Sequence, residues 1–319
     1  MNILAPVNTY ESAIKLINAG ADEVYVGLDD ELFKTFSFTG RGKISHKGLK
    51  VLPSIAALKD IVGFAHDKSV TVNFIANIPF FNNGSSNGKT MESLYLNYVE
   101  KGIKAGVDSI VIGDIGLLNK VHQQNYGVDL HASIYFKTIN SQELLFLKDF
   151  GVTRTTLSYH ITLEEIERLC KKNIMDIEVV GYLGCSFFNG ACGFLHELGE
   201  GILDNFDPGI ACKNIYGFFN GDNIRNVSFD VETGCSVCSL HRLEQLGVKA
   251  VKIVGRDRNI KEIEEVVSLY KTSLIAQREH RFSDAVDIPV PTWWRRIWCS
   301  RNKCKYINNA YSHYIIGGD

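Results

Sequence analysis

Short β-branched runs alternate along the chain with stretches whose apolar residues recur every three or four positions, and the two are joined by a repeated junction. A helical stretch ends in Gly, Val or Ala follows, and a strand-like run begins. The junction occurs at Gly20-Ala-Asp-Glu-Val-Tyr-Val26, Gly106-Val-Asp-Ser-Ile-Val-Ile112, Gly127-Val-Asp-Leu-His-Ala132, Gly151-Val-Thr-Arg-Thr-Thr156 and Gly247-Val-Lys-Ala-Val-Lys-Ile253. Glycine supplies the left-handed helix cap, and the near-continuous apolar run after it reads as a parallel strand buried on both faces. Strands are predicted to start near Ile3, Val24, Val70, Ser109, Val128, Thr153, Ile177 and Val248. Between them lie helices such as 162–173, where Leu163, Ile166, Leu169 and Cys170 share one face. Eight strands alternating with helices predict a (βα)8 TIM-like barrel. The alternative, an open doubly wound sheet, would carry Gly-x-Gly-x-x-Gly after its first strand, and none is present.

Three segments exceed what a bare barrel needs. Residues 29–51 form a polar, Gly-containing loop after the second strand, and 186–237 form a cysteine-rich insertion after the seventh. The barrel is therefore expected over 1–279, with a C-terminal tail at 280–319. Loops that follow barrel strands gather at the C-terminal face, where such barrels keep their active sites.

Composition narrows the partners. Of 319 residues, 45% are hydrophobic and 22% charged, with a net charge of −2, so no global basic field argues for indiscriminate nucleic-acid binding. No run approaches the length of a membrane span, and the N-terminus has no basic-then-apolar leader. A cytoplasmic protein is expected, its eight cysteines mostly reduced and available for metal or catalysis.

Cys185, Cys192, Cys212 and Cys238 are widely spaced. Zinc modules use Cys-x-x-Cys knuckles, and only Cys235-Ser-Val-Cys238 has that form. Four soft thiolates from scattered loops suit an iron–sulfur cluster as well as zinc, and inert burial is the bland alternative. Cys170 reads as core packing, and Cys299 and Cys304 as either a second pair of ligands or, the preferred reading, surface thiols of the tail. His131 and Ser133 lie two apart on one strand and share a face. Arg256, closing the last strand, suits a substrate carboxylate. Asp114 and Asn77 are weaker candidates by position, and Asn73 reads as structural. In the tail, Trp293-Trp-Arg-Arg-Ile-Trp298 interleaves aromatics with cations. Such a stretch can stack on RNA bases, cover the barrel, or bind a partner subunit.

Several of these motifs resemble the collagenase-like peptidase family (family U-thirty-two). They are Leu4-Ala-Pro-Val-Asn-Thr-Tyr-Glu-Ser-Ala13, Leu130-His-Ala-Ser133, Leu157-Ser-Tyr-His-Ile-Thr-Leu-Glu-Glu-Ile166, the Cys-x6-Cys of Cys185 and Cys192, and Val251-Lys-Ile-Val-Gly-Arg256. The resemblance runs over roughly residues 3–270 and implies a barrel. It also implies a [4Fe-4S] cluster on Cys185, Cys192, Cys212 and Cys238, with Cys235 a rival for the fourth position. Oxygen-independent hydroxylation of a small molecule or RNA is implied, with prephenate as oxygen donor in some members, an electron partner, and in places a homologous partner subunit. In size the chain is nearest the ubiquinone-biosynthesis members. The older peptidase activity is the alternative, but there is no His-Glu-x-x-His or Gly-x-Ser-x-Gly. The chain departs from the family at Val180-Gly-Tyr-Leu-Gly184, Tyr159-His160 and Ile253-Val-Gly-Arg256. These positions lose a histidine, an Arg-Glu pair and a carboxylate, which points to a divergent substrate.

Overall fold

Gly106 and Gly247 have φ of +93° and +96°, the left-handed caps that the repeated junction predicts. Each launches a strand of a closed, all-parallel barrel. The computed structural model describes residues 1–30, 52–78, 85–86, 89–183, 215–220, 223–228, 234–255, 258–280, 290–301 and 303–306. The barrel strands are β1 (Asn2–Pro6), β2 (Glu23–Val26), β3 (Thr71–Ala76), β4 (Ser109–Ile112), β5 (Asp129–Ala132), β6 (Val152–Thr156), β7 (Asp176–Tyr182) and β8 (Ala250–Ile253). Neighbours in the chain are neighbours in the barrel, and β8 closes on β1 through Asn2–Ala250, Ile3–Val251 and Leu4–Lys252 pairs. All eight predicted strands are present, each starting within two residues of the expected position.

The helices follow their apolar faces and caps. They are α1 (Tyr10–Asn18), α2 (Ile55–Asp67), α3 (Met91–Lys104), α4 (Ile115–Gln124), α5 (Ser141–Asp149), α6 (Leu163–Cys170), α7 (Leu240–Leu246), α8 (Ile260–His280) and α9 (Thr292–Ile297). Thr162 starts α6 with a reciprocal capping box to Glu165, and Ile166 and Leu169 bury its inner face. Outward-facing strand residues such as Val24, Phe74 and Ile110 pack with the helices into one continuous core. A separate apolar group, Leu4, Tyr25, Ile75, Val111 and Ala250, fills part of the barrel interior.

Within the long insertion, Ile215–Asn220 and Asn223–Ser228 pair as an antiparallel hairpin. The C-terminal segment from Val290 to Tyr306 folds onto the barrel. Trp294 is fully buried and stacks on Tyr182 at 5.6 Å and 29°, and Trp298 is 5% exposed. With only Trp293 left exposed, two of the three tryptophans are covering the barrel and are not free to stack on bases. The expectation of surface thiols in the tail is likewise corrected. Cys299 and Cys304 are partly buried, and Cys304 pairs with Cys235 through a backbone bridge.

Candidate functional site

The barrel interior carries a buried ion network assembled from side chains on different strands. Glu23 on β2 accepts from Arg154 Nη1 on β6 at 2.6 Å, Asn2 Nδ2 at 2.7 Å and Asn73 Nδ2 at 3.0 Å. Ser109 Oγ donates to Asn73 Oδ1 at 2.6 Å, so Asn73 is structural, as its depth predicts. Across the lumen Glu178 on β7 accepts from Thr156 Oγ1 at 2.8 Å and Lys252 Nζ at 3.3 Å. Burial alone would raise the Glu23 carboxyl, but the Arg154 charge and the three donors outweigh it and hold its pKa below the ordinary range. The two carboxylates and two cations balance in a space that water does not screen.

His131 enters the same space from β5, 6% exposed, with Nδ1 lacking a hydrogen-bond partner. Burial, then the nearby Arg154 charge, depresses its pKa to about 3. The ring is therefore neutral at physiological pH. It can contact or polarise a bound group but holds no proton to donate from a cationic form. Ser133 lies on the same face nearer the mouth, as the two-residue spacing predicts. Its Oγ accepts from Asn77 Nδ2 at 2.9 Å, while Asn77 Oδ1 is buried and unpaired. Asp114 caps α4 by accepting from Leu117 N at 2.9 Å, which makes it a structural carboxylate.

At the end of β7 the chain meets the Cys235 loop. Leu183 N donates to Gly234 O at 3.0 Å, and Ser236 N to Gly181 O at 3.1 Å. The approach is tight, since a Cβ on Gly181 would lie 2.1 Å from Val251 Cγ1. Cys235 Sγ accepts from Trp294 Nε1 at 3.2 Å. Burial pushes this thiol up to about 12, with the Cys304 and Cys238 charges adding to the rise. Cys238 is half-buried and pushed up to about 11, first by burial and then by Cys304 and Cys299, with Arg295 opposing. Four thiols thus share one corner beside the C-terminal end of β7, although among the described residues no three His, Cys, Asp or Glu side chains are placed to hold a metal ion. Cys170, by contrast, packs on the core from α6.

The mouth also receives a lysine from the C-terminal segment. Lys305 is 5% exposed, its ammonium donates to Val180 O, and it stands 4.1 Å over the Tyr159 ring. Burial lowers its pKa to about 7. Neither this lysine nor the Glu23–Arg154 network carries a sequence motif that would have revealed it. Cys185, Cys192, Cys212 and Arg256 lie outside the described residues, so of the expected site only His131, Ser133 and Cys238 have a described setting. An open groove of about 530 Å³ lies at the opposite, N-terminal face, lined by Asp22, Lys68 and Lys271 among others, and Asp22 pairs with Lys271 at 2.5 Å. Among the described residues no helix is long and apolar enough to cross a membrane.

Comparison with known proteins gives the setting of this barrel. The chain is 24% identical over 289 residues to the 23S rRNA 5-hydroxycytidine C2501 synthase of Escherichia coli (strain K12), covering 88% of this chain and 40% of the relative. It is 25% identical over 303 residues to an uncharacterized protease of Methanocaldococcus jannaschii, covering 90% and 68%. With the tRNA hydroxylation protein P1 of Bacillus subtilis (strain 168) it shares 21% over 282 residues, covering 84% and 62%. It therefore spans two-fifths of the length of the first of these relatives. The profile of Peptidase family U32 matches residues 8–312, nearly the whole barrel and its C-terminal segment, and the chain belongs to that family.

Proposed function

We propose that this chain is an iron–sulfur protein of the hydroxylating branch of its family, acting without molecular oxygen on a small-molecule or RNA substrate. The observation that carries the reading is the thiol corner at the C-terminal end of β7. Leu183, two residues before Cys185, is hydrogen-bonded to the loop that holds Cys235 and Cys238. Thiolate sulfur is a soft donor suited to iron–sulfur or zinc chemistry, and this corner holds Cys238, one of the expected ligands, with its rival Cys235. Burial keeps Cys235 and Cys238 as protonated thiols, and a bound metal would displace those protons. Cys185, Cys192, Cys212 and Cys238 would hold a [4Fe-4S] cluster, with Cys235 competing for the last place and zinc the alternative metal. A bound cluster would supply electron transfer or a Lewis-acidic iron. Around it, Ser133 and Asn77 would orient the substrate, the neutral His131 would offer a polar contact deeper in the lumen, and Arg256 would meet an anionic group. Prephenate as oxygen source, a redox partner and a homologous partner subunit belong to the same reading, as does a location in the cytoplasm.

Two relatives are named for RNA hydroxylation, and one is named a protease. A hydrolase of the serine type needs its nucleophile bonded to a base. Here Ser133 Oγ is bonded to Asn77, and no Ser133–His131 hydrogen bond is present among the described residues. The hydroxylation reading is therefore preferred. Anaerobic purification with iron and sulfide analysis tests it. About four irons and four sulfides per chain, lost in Cys192→Ala and in one of Cys235→Ala or Cys238→Ala, are expected. Zinc in their place would recast the corner as a structural site, and metal-free protein with free thiols would overturn the redox reading.

A further inference from the structure

The C-terminal segment brings two cysteines to a corner that already holds two, and the backbone sets them side by side. Cys235 N donates to Lys303 O at 3.4 Å and Lys305 N to Cys235 O at 2.8 Å, which pairs Cys304 with Cys235. Residues paired across neighbouring strands lie about 4.8 Å apart. Cys238 follows Cys235 at the Cys-x-x-Cys spacing of a metal knuckle. Lys303 N donates to Trp298 O at 3.0 Å and closes the turn between Cys299 and Cys304. The thiols are within electrostatic reach of one another, Cys304 acting on Cys235 and Cys238, and Cys299 on Cys304.

A second observation comes from Cys235 Sγ. The residue is 3% exposed, and two N–H groups point at its sulfur, Val237 N–H from the backbone and Trp294 Nε1–H at 3.2 Å. A neutral thiol is a weak acceptor, whereas a hydrogen bond to an ionised group is roughly twice as strong as a neutral one. Two donors on one buried sulfur therefore suit a thiolate held by a metal.

We propose that Cys235, Cys299 and Cys304 form a second metal site, for one zinc ion, that fastens the C-terminal segment to the end of β7. Three thiolates and a water make up a tetrahedral zinc shell, and the thiol protons leave to solvent as the metal binds. Among the described residues the side chains are not already placed around an ion. Closing the site calls for rotation of the cysteine side chains, with the backbone pairing of Cys235 and Cys304 kept. The inference deepens the cluster reading at one point: with Cys235 on zinc, Cys238 is the fourth cluster ligand.

The test is zinc, iron and sulfide analysis of the full-length protein, purified anaerobically, equilibrated with zinc and freed of excess. About one zinc per chain beside the iron is expected. Zinc should be lost in Cys299→Ala and in Cys304→Ala with iron unchanged, and kept in Cys238→Ala, where iron is lost. Zinc kept in Cys192→Ala, after its iron has gone, supports two separate centres, and zinc lost there together with the iron overturns them. A wild type that holds zinc on these thiols and no iron would sink the cluster and support this site. A wild type without zinc, zinc that survives loss of Cys299 and Cys304, or a Cys235–Cys304 disulfide in its place would each overturn the assignment. Should the variants fail to fold, iodoacetamide labelling of the wild type with and without zinc, read by mass spectrometry, replaces them. Protection of Cys299 and Cys304 by zinc supports the site, and unchanged labelling overturns it.

Discussion

Arg154 illustrates what burial does to an ordinary side chain. In water its pairing with a carboxylate would be worth little, but here the guanidinium is 8% exposed and Glu23 is 1% exposed. Neither charge can be left alone. Replacing one partner of a buried pair typically costs about 3–5 kcal/mol, because the other charge is stranded. Arg154→Met is therefore expected to lower stability by about that amount in urea unfolding. The double variant Arg154→Met/Glu23→Gln should recover much of the loss. A double variant no more stable than Arg154→Met would show that the network contributes packing and not charge balance.

At the scale of elements, the segment that carries α9 is part of the barrel's closure. Trp294 is enclosed by Tyr182, Tyr270 and Trp298, with ring centroids 5.6, 6.3 and 5.7 Å away. It also donates to Cys235. Trp294→Ala should cost about 3–5 kcal/mol, expose the β7 end, and release the segment to limited proteolysis. Peptide mapping of the cleavage sites would check this. A variant that lost stability but stayed uncut at the segment would mean that residues 290–306 are held by other contacts.

For the molecule as a whole, the buried histidine makes stability depend on pH. His131 titrates near 3 when folded and near 6.5 in the open chain. Between those values the unfolded state binds a proton that the folded state refuses, so stability is full above about pH 6.5 and falls as pH drops. The slope for this group approaches about 1.4 kcal/mol per pH unit. Arg154, Glu23 and Lys252 set its surroundings. In His131→Asn the fall between pH 6.5 and 5 should be shallower by that increment, measured by unfolding at each pH, and an unchanged slope would refute the assignment. The barrel itself was legible in the chain because each βα unit announces itself locally, through a capping glycine such as Gly106 or Gly247 and an apolar run buried on both faces. Local too were the shared face of His131 and Ser133 and the thiol-rich stretch around Cys235 and Cys238. The rest is made of coincidences between distant segments. Glu23, Arg154, Glu178 and Lys252 each look like a strand-end charge until closure of the barrel points them at one another. Trp294 and Lys305 read as a basic aromatic tail until that tail folds back over β7. Sequence determined which elements form, since short-range periodicity and capping suffice for that. Tertiary structure alone decided which charges meet, since burial and pairing exist only once the strands close.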